Sequence, residues 1–139
     1  MAYFPDDMPR PDPDWDDRDY WQNCSDRHLR FQACAACGTV RHPPRPMCGN
    51  CQSTSVTWVD APTEATVYTY NVVHYVSHPA VAARVPYVGA VVEFGEIPAV
   101  RLVTNVTDID PGDMKIGMRV VLWWDDIGEG MHIPRFRPI

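Results

Sequence analysis

Residues 34–51 read Cys34-Ala35-Ala36-Cys37-Gly38-Thr39-Val40-Arg41-His42-Pro43-Pro44-Arg45-Pro46-Met47-Cys48-Gly49-Asn50-Cys51. Two C-x2-C pairs stand ten residues apart. Each pair forms a turn that points two sulfurs at one ion, and four thiolates complete a tetrahedral site. Gly38 and Gly49 follow or lie inside the pairs, where a tight turn favours a permissive backbone. The ligand set Cys34, Cys37, Cys48 and Cys51 predicts structural zinc, with iron in a rubredoxin-like geometry as the alternative. Four thiolates leave no open position for water, so the metal is expected to hold a loop-rich segment together and not to catalyse. A redox role for one pair is disfavoured by the presence of the second. His42 lies between the pairs and reads as a loop residue. Cys24 is the odd thiol and reads as a small apolar residue on a short helix.

Upstream of the ribbon, MAYFPDDMPRPDP (1–13) combines Pro and Asp without periodicity, and predicts an extended arm ordered only against the body or a partner. Asp12 and Pro13 suit the N-cap and first position of a helix over 14–23, with Asp14, Asp16 and Asp17 in its first turn. So short a helix must pack on something.

Downstream, the pattern is β. Residues 56–60 (VTWVD) form a strand leaving the ribbon, followed by ATVYTYNVVHYV at 65–76. YVGAVVEF at 87–94 and AVRLVTNV at 99–106 flank the turn Gly95-Glu96-Ile97-Pro98, a hairpin pattern. MRVVLWW at 118–124 and a strand near 131–137, interrupted by Pro134 and so expected at an edge, complete five strands. With a long connection at 77–86 after the first, they suit a small Greek-key barrel of the OB type. The predicted fold is mainly β, in three parts. An acidic arm and short helix occupy 1–29, a rubredoxin-like zinc ribbon 30–55, and a five-stranded OB-fold barrel 56–139.

The chain has 139 residues, 45% hydrophobic and 22% charged, which fits one domain with a small appendage. Its net charge of -6 is divided unevenly. Residues 1–26 carry eight Asp and two Arg, whereas the remainder carries ten acidic and ten basic residues. A neutral body with an acidic arm disfavours nucleic acid, although ribbons and OB-folds bind it elsewhere. The N-terminal stretch lacks a basic region followed by an apolar one, so no secretory signal is expected. No apolar run reaches bilayer length, so no membrane span is expected. The cytoplasm is the expected compartment.

The remaining order of motifs resembles a known family. Tyr20-Trp21 and His28-Leu29-Arg30 precede the ribbon. VYTYNVV (67–73), VPYVGAVVE (85–93), RLVTNV (101–106), IGMRV (116–120) and PRFRP (134–138) follow it. Together they are similar to the zinc-ribbon plus OB-fold proteins long filed as a domain of unknown function and associated with acyl-CoA metabolism. The resemblance implies an accessory partner of a thiolase-fold protein. In the lyase form the partner carries the chemistry of an aldolase that shortens steroid side chains as CoA thioesters. In the alternative form the chain bridges a thiolase and an acyltransferase and contacts coenzyme A. Where many members have Gly-x-Gly before the Val-Tyr-Thr strand, this chain has Pro62-Thr63-Glu64-Ala65.

No nucleophile elbow, HExxH or phosphate loop occurs. The densest polar stretch, 74–87, contains His74, Tyr75, Ser77, His78, Arg84 and Tyr87 beside the usual OB binding face. A His/Ser or His/Tyr pair there would make a self-sufficient enzyme. Strand-end contacts to a partner or solvent are the simpler reading, and no catalytic residue is assigned. Arg27, Arg30, Arg41 and Arg45 surround the ribbon. They balance the formal -2 charge of a zinc tetrathiolate, or else meet a CoA phosphate or partner carboxylates. Trp123 and Trp124 point to opposite faces of a strand, so one of them is expected at an interface. The pair Asp125-Asp126 reads as a solvated turn. Candidate partner or CoA contacts are therefore Tyr20, Trp21, Arg41, Arg45, His74, His78, Arg84, Tyr87, Trp124 and Arg135.

Overall fold

A computed structural model describes residues 1–139. One helix, α1 (Arg18–Ser25), precedes eight strands: β1 (Arg30–Cys34), β2 (Val40–Arg41), β3 (Val56–Asp60), β4 (Glu64–Val73), β5 (Tyr87–Phe94), β6 (Ile97–Val106), β7 (Arg119–Asp126) and β8 (His132–Pro138). The first three form a small sheet in the order β2-β1-β3. The other five close into a barrel in the order β4-β5-β6-β8-β7. That is the OB arrangement the strand pattern predicts.

The barrel closes because its strands alternate. In β5, Val88, Ala90, Val92 and Phe94 face inward and are buried, while the residues between them are half-buried. In β6, Val100, Leu102, Thr104 and Val106 also face inward and are buried, with Arg101 and Val103 exposed between them. The two strands meet through Phe94↔Ile97, so Gly95 and Glu96 make a two-residue hairpin turn. In β4 the register shifts between Val67 and Thr69, a bulge that turns Tyr68 outward under the Arg101 guanidinium, 3.7 Å from the ring centroid.

Some strand limits shift: β4 stops at Val73 and not at 76, β6 starts at Ile97 inside the expected turn, and β3 (56–60), expected with the barrel, joins the ribbon sheet. Three further details differ from the sequence reading. First, α1 begins at Arg18 and not near Asp14. The Asp14 N–H donates to Asp17 Oδ1 at 2.8 Å, and the Asp16 N–H donates to Asp14 Oδ1 at 3.0 Å. With the Arg18 N–H on the Asp14 carbonyl at 3.0 Å they make one capped turn ahead of α1, and the Asp17 backbone, at φ -112°, separates that turn from the regular helix.

Second, β8 is not an edge strand. It pairs with β7 over seven residues and with β6 at Val106↔Phe136. The Ile139 N–H reaches the Arg119 carbonyl, whereas the carbonyls of Phe136 and Pro134 accept from the β6 side. Their donors are the Thr107 N–H at 2.8 Å and Thr104 Oγ1 at 2.9 Å. Pro134 belongs to the residues whose backbone polar groups face β6, so its missing N–H costs no bond to β7.

Third, Asp125 is not a solvated turn residue. It is 1% exposed, inside β7.

Ribbon and barrel share one core. Tyr20, Cys24, Leu29 and Phe31 lie in the same buried cluster as the barrel residues Val67, Val92, Phe94 and Phe136. The arm is ordered against the body, as expected of it, with Phe4 buried and the Tyr3 N–H on the Asp125 carboxylate.

Candidate metal centre and flanking surfaces

Two loops of the small sheet build the metal centre, and they do so alike. The Gly38 N–H donates to the Cys34 carbonyl at 2.8 Å, and the Gln52 N–H donates to the Cys48 carbonyl at 2.9 Å. The Cys34 and Cys48 N–H groups close the turns on the Thr39 and Ser53 carbonyls, both at 2.9 Å. The residue after each second cysteine takes a left-handed backbone, Gly38 at φ 78° and Gln52 at φ 65°. The permissive position in the second turn is therefore Gln52, and Gly49 is not strained.

The four sulfurs lie within 4.8 Å of one another, with Cys34–Cys51 at 3.5 Å and Cys37–Cys48 at 3.6 Å. Four sulfurs around zinc at about 2.3 Å stand about 3.8 Å apart in a regular tetrahedron, so the set fits the ion. Backbone N–H groups of Cys37 and Asn50 approach Cys34 Sγ and Cys48 Sγ at 3.4 Å. At Cys37, the Thr39 hydroxyl and backbone, then the Asn50 amide, pull the thiol down to about 5. Such contacts favour the thiolate that a metal requires. The site holds structural zinc between Cys34, Cys37, Cys48 and Cys51.

No arginine touches these sulfurs. Gln32, buried in β1, organises two of them instead. Its Oε1 accepts from Arg41 Nε at 2.6 Å and from the Arg45 N–H at 2.8 Å. Arg41 also donates to the Arg45 carbonyl at 3.1 Å. Arg30 is paired with Asp60 at 2.7 Å. The Arg45 side chain is exposed.

His42 is more than a loop residue. Its ring is packed between Tyr20, with centroids 5.0 Å apart, and Phe31, at 5.2 Å. Burial pushes its pKa down to about 4, and its Nδ1 has no partner. Cys24 is fully buried, as expected of a packing residue, and burial pushes its thiol up to about 12.

Four of the ten contact candidates meet in one place. Tyr20, Trp21, Tyr87 and Arg135 line an open groove of about 420 Å³ between α1 and the outer face of the barrel, together with His42 and the 79%-exposed Val103. The Trp21 indole donates to Asp17 at 3.2 Å, and its ring stands edge-on to Tyr20. Arg135 is not an open cation. It is 8% exposed, paired with Asp125 at 2.6 Å, and donates to Asn105 Oδ1 at 2.6 Å.

The others lie elsewhere. Trp124 packs against the core and, on a different groove, beside Arg27, His28 and Arg30. Neither Trp of the pair is exposed, because Trp123 is half-buried and donates to Thr107 Oγ1 at 2.9 Å. His78 caps a short 3-10 turn, its Nδ1 accepting from the Ala80 N–H at 3.0 Å. Arg84 donates to the Tyr3 carbonyl. His74 is exposed, as are Tyr75 and Ser77. No hydrogen bond joins either histidine to Ser77, Tyr75 or Tyr87.

Sequence reasoning missed Gln32, Asn105 and Asp125 as structural anchors. The only signal was position: each lies on a strand at an inward or paired register that an isolated polar residue occupies only when partnered.

A rubredoxin-like ribbon sharing its core with an OB barrel defines the class of zinc-ribbon OB-fold proteins. Residues 21–57 match the family model described as the ChsH2 rubredoxin-like zinc ribbon domain, and residues 58–125 match the ChsH2 C-terminal OB-fold domain. A DUF35 domain-containing scaffold protein of Methanocaldococcus jannaschii is 33% identical over 72% of this chain and 70% of its own. The chain belongs to this ChsH2/DUF35 family. It is 42% identical, over 94% of its length, to a probable enoyl-CoA hydratase alpha subunit of Thermomonospora curvata. It is 36% identical, over 84%, to the 3-oxo-4,17-pregnadiene-20-carboxyl-CoA hydratase alpha subunit of Mycobacterium tuberculosis. The chain spans only 40% and 36% of those two relatives. One chain of a solved structure described as the Ltp2-ChsH2(DUF35) aldolase superposes with a TM-score of 0.84 at 42% identity, covering 93% of this chain and 98% of that one. A DUF35 protein of Sulfolobus solfataricus, at 16% identity and a TM-score of 0.62, shares the fold.

Proposed function

We propose that this chain is the accessory ribbon–barrel subunit of an acyl-CoA aldolase complex that degrades steroid side chains. A thiolase-like partner supplies the reacting groups. The observation that supports this most is the full-length likeness to one chain of the Ltp2-ChsH2(DUF35) aldolase. The closed tetrathiolate site agrees with it, since such a zinc orders protein and does not polarise substrate. The hydratase alpha subunits among the relatives, named for CoA thioesters, agree with an acyl-CoA setting.

The groove between α1 and the barrel is the surface assigned to the partner. It combines the half-buried Trp21 and Tyr87 with an exposed Val103 over a floor that the buried Tyr20 forms, and aromatic anchors beside apolar area are what interface centres use. Arg41, Arg45, His74, His78, Arg84 and Trp124 are outlying contacts in this reading. The arm and helix (1–29), the ribbon (30–55) and the OB part (56–139) act as its three working parts, in the cytoplasm, with β3 (56–60) opening the third part in sequence while completing the ribbon sheet in space. A second reading, a bridge between a thiolase and an acyltransferase that contacts coenzyme A, draws on the scaffold name of the archaeal relative.

The test compares each subunit alone with the mixture. Retro-aldol cleavage of a steroid side-chain CoA thioester by the mixture, and not by this chain alone, supports the proposal. Trp21→Ala weakens assembly at least tenfold while the zinc content stays at one per chain. Turnover by the isolated chain, or full assembly by folded Trp21→Ala protein, contradicts it.

A further inference from the structure

Residues 3–10 lie across one end of the barrel and join no sheet. Two anchors hold them. At the first, the Tyr3 N–H donates to both oxygens of Asp125, at 3.2 and 3.3 Å, and the Tyr3 carbonyl accepts from Arg84 Nε. Beneath, Arg135 ties Asp125 to Asn105, and its guanidinium lies 5.3 Å from the Tyr3 ring centroid and 5.2 Å from that of Phe4. Phe4 stands edge-on to Tyr87 at 5.4 Å. At the second anchor, the Arg10 guanidinium donates to the carbonyls of Ile127 and Gly128, the latter at 2.8 Å. The arm thus bridges the loop that precedes β5 and the loop that precedes β8. A cavity of about 60 Å³ remains under it, beside Phe4, Met8, Ile127 and Ile133.

The barrel's half of this contact is preformed. Asp125 is fixed by Arg135, Arg135 by Asn105, and all three belong to closed-barrel strands. What they offer is one acceptor, which an exposed loop residue, Arg84, complements with one donor, spaced for the N–H and C=O of a single residue, Tyr3, at which the arm bends. Recognition of one residue's two backbone groups, with a neighbouring aromatic setting specificity, is a way to hold a short peptide segment. The arm's half is built to come off. Pro5, Pro9, Pro11 and Pro13 restrict the free arm and so limit the entropy it loses on docking; the docked arm bends at Tyr3 and Phe4 and turns at Pro5, whose carbonyl accepts from the Met8 N–H at 3.0 Å, and no ladder bonds hold it.

We propose that the barrel end formed by Arg84, Asp125 and Arg135 is a peptide-binding slot with the arm as its resident occupant. A partner segment bearing an aromatic pair, a proline turn and a following arginine, as the arm itself does, takes the slot by displacing the arm. This proposal does not rest on the aldolase reading.

The test uses the full chain and a fluorescein-labelled peptide of residues 2–11 (AYFPDDMPRP) followed by anisotropy. In wild type the arm fills the slot and excludes the peptide. The double variant Phe4→Ala/Arg10→Ala loosens the arm, and it binds the peptide at least tenfold more tightly than wild type. The peptide carrying the same two substitutions does not bind. Amide exchange supplies the second measurement: the Tyr3 amide exchanges faster than that of Val92 in wild type, and faster again in the variant. The proposal is overturned if wild type and variant bind the peptide equally, or if the variant's arm exchanges freely and no peptide binds. Exchange of the wild-type Tyr3 amide as slow as that of Val92 also overturns it.

Discussion

Phe31 of the ribbon strand stands edge-on to Phe94 of the barrel, with ring centroids 5.4 Å apart and planes at 61°, and neither ring is more than 1% exposed. Phe94 continues to Phe136 at 6.3 Å, so an aromatic line runs from the metal-bearing sheet through the barrel wall. The ribbon is welded to the barrel through side chains and not merely tethered by β3.

Phe31→Ala removes the ribbon end of that line. Truncating a fully buried Phe costs about 3–5 kcal/mol. Because ribbon and barrel share the core, chemical denaturation is expected to show one transition moved to lower denaturant, followed by both near-UV signal and zinc release. Two separated transitions would show that the modules fold independently.

The thiols should divide four to one. Chelation of zinc exposes Cys34, Cys37, Cys48 and Cys51 to an alkylating reagent, whereas Cys24, buried with its thiol pushed up to about 12, stays unreacted until the protein unfolds. Cys34→Ser or Cys48→Ser should lose the metal. Mass spectrometry of the alkylated chain and metal analysis read both outcomes. Tight retention of one zinc by both serine variants would refute the ligand set.

Asp125→Ala leaves Arg135 buried without its counter-ion. Breaking such a pair costs about 3–5 kcal/mol, more than the pair itself contributes. Asp125→Ala/Arg135→Met should therefore be more stable than Asp125→Ala alone. Equal stability of single and double variants would mean that the arginine escapes to solvent.

His42 sets a pH dependence. Its pKa falls from 6.5 in the unfolded chain to about 4 in the fold, because burial disfavours the imidazolium. The unfolded state then binds more protons between those values. Its contribution is fully present above pH 6.5 and is lost as pH falls toward 4, by on the order of 3 kcal/mol in all. His42→Phe, which fits between Tyr20 and Phe31 and strands no polar atom, should flatten the stability profile between pH 7 and 5 relative to wild type. Parallel profiles would refute the assignment.

How much was legible follows from how local each signal is. The two C-x2-C pairs each lie within four residues, so their geometry is written in the spacing. The strands at 87–94 and 99–106 were legible too, because alternation is local, but the turn read over 95–98 is only Gly95 and Glu96, with Ile97 and Pro98 already in β6. Pro134 misled because its position in the ladder depends on which neighbour its missing N–H would face, and only closure of the barrel decides that. Asp125 misled because its partner, Arg135, stands across the strand pair, where Trp124↔Pro134 sets the register. His42 looked like loop because the rings that bury it come from α1 and β1. Helix α1 starts one turn late because the capped turn at 14–18 is set off from it by the Asp17 backbone at φ -112°, a break that no residue type signals.

The central claim, that this chain works inside a complex whose partner carries the chemistry, is tested most directly by affinity capture of the tagged chain from its native host at low salt. The eluate is identified by mass spectrometry. The account predicts a stoichiometric thiolase-fold protein whose own residues perform retro-aldol cleavage. Elution of the chain alone, or with nucleic acid as its main companion, would contradict it.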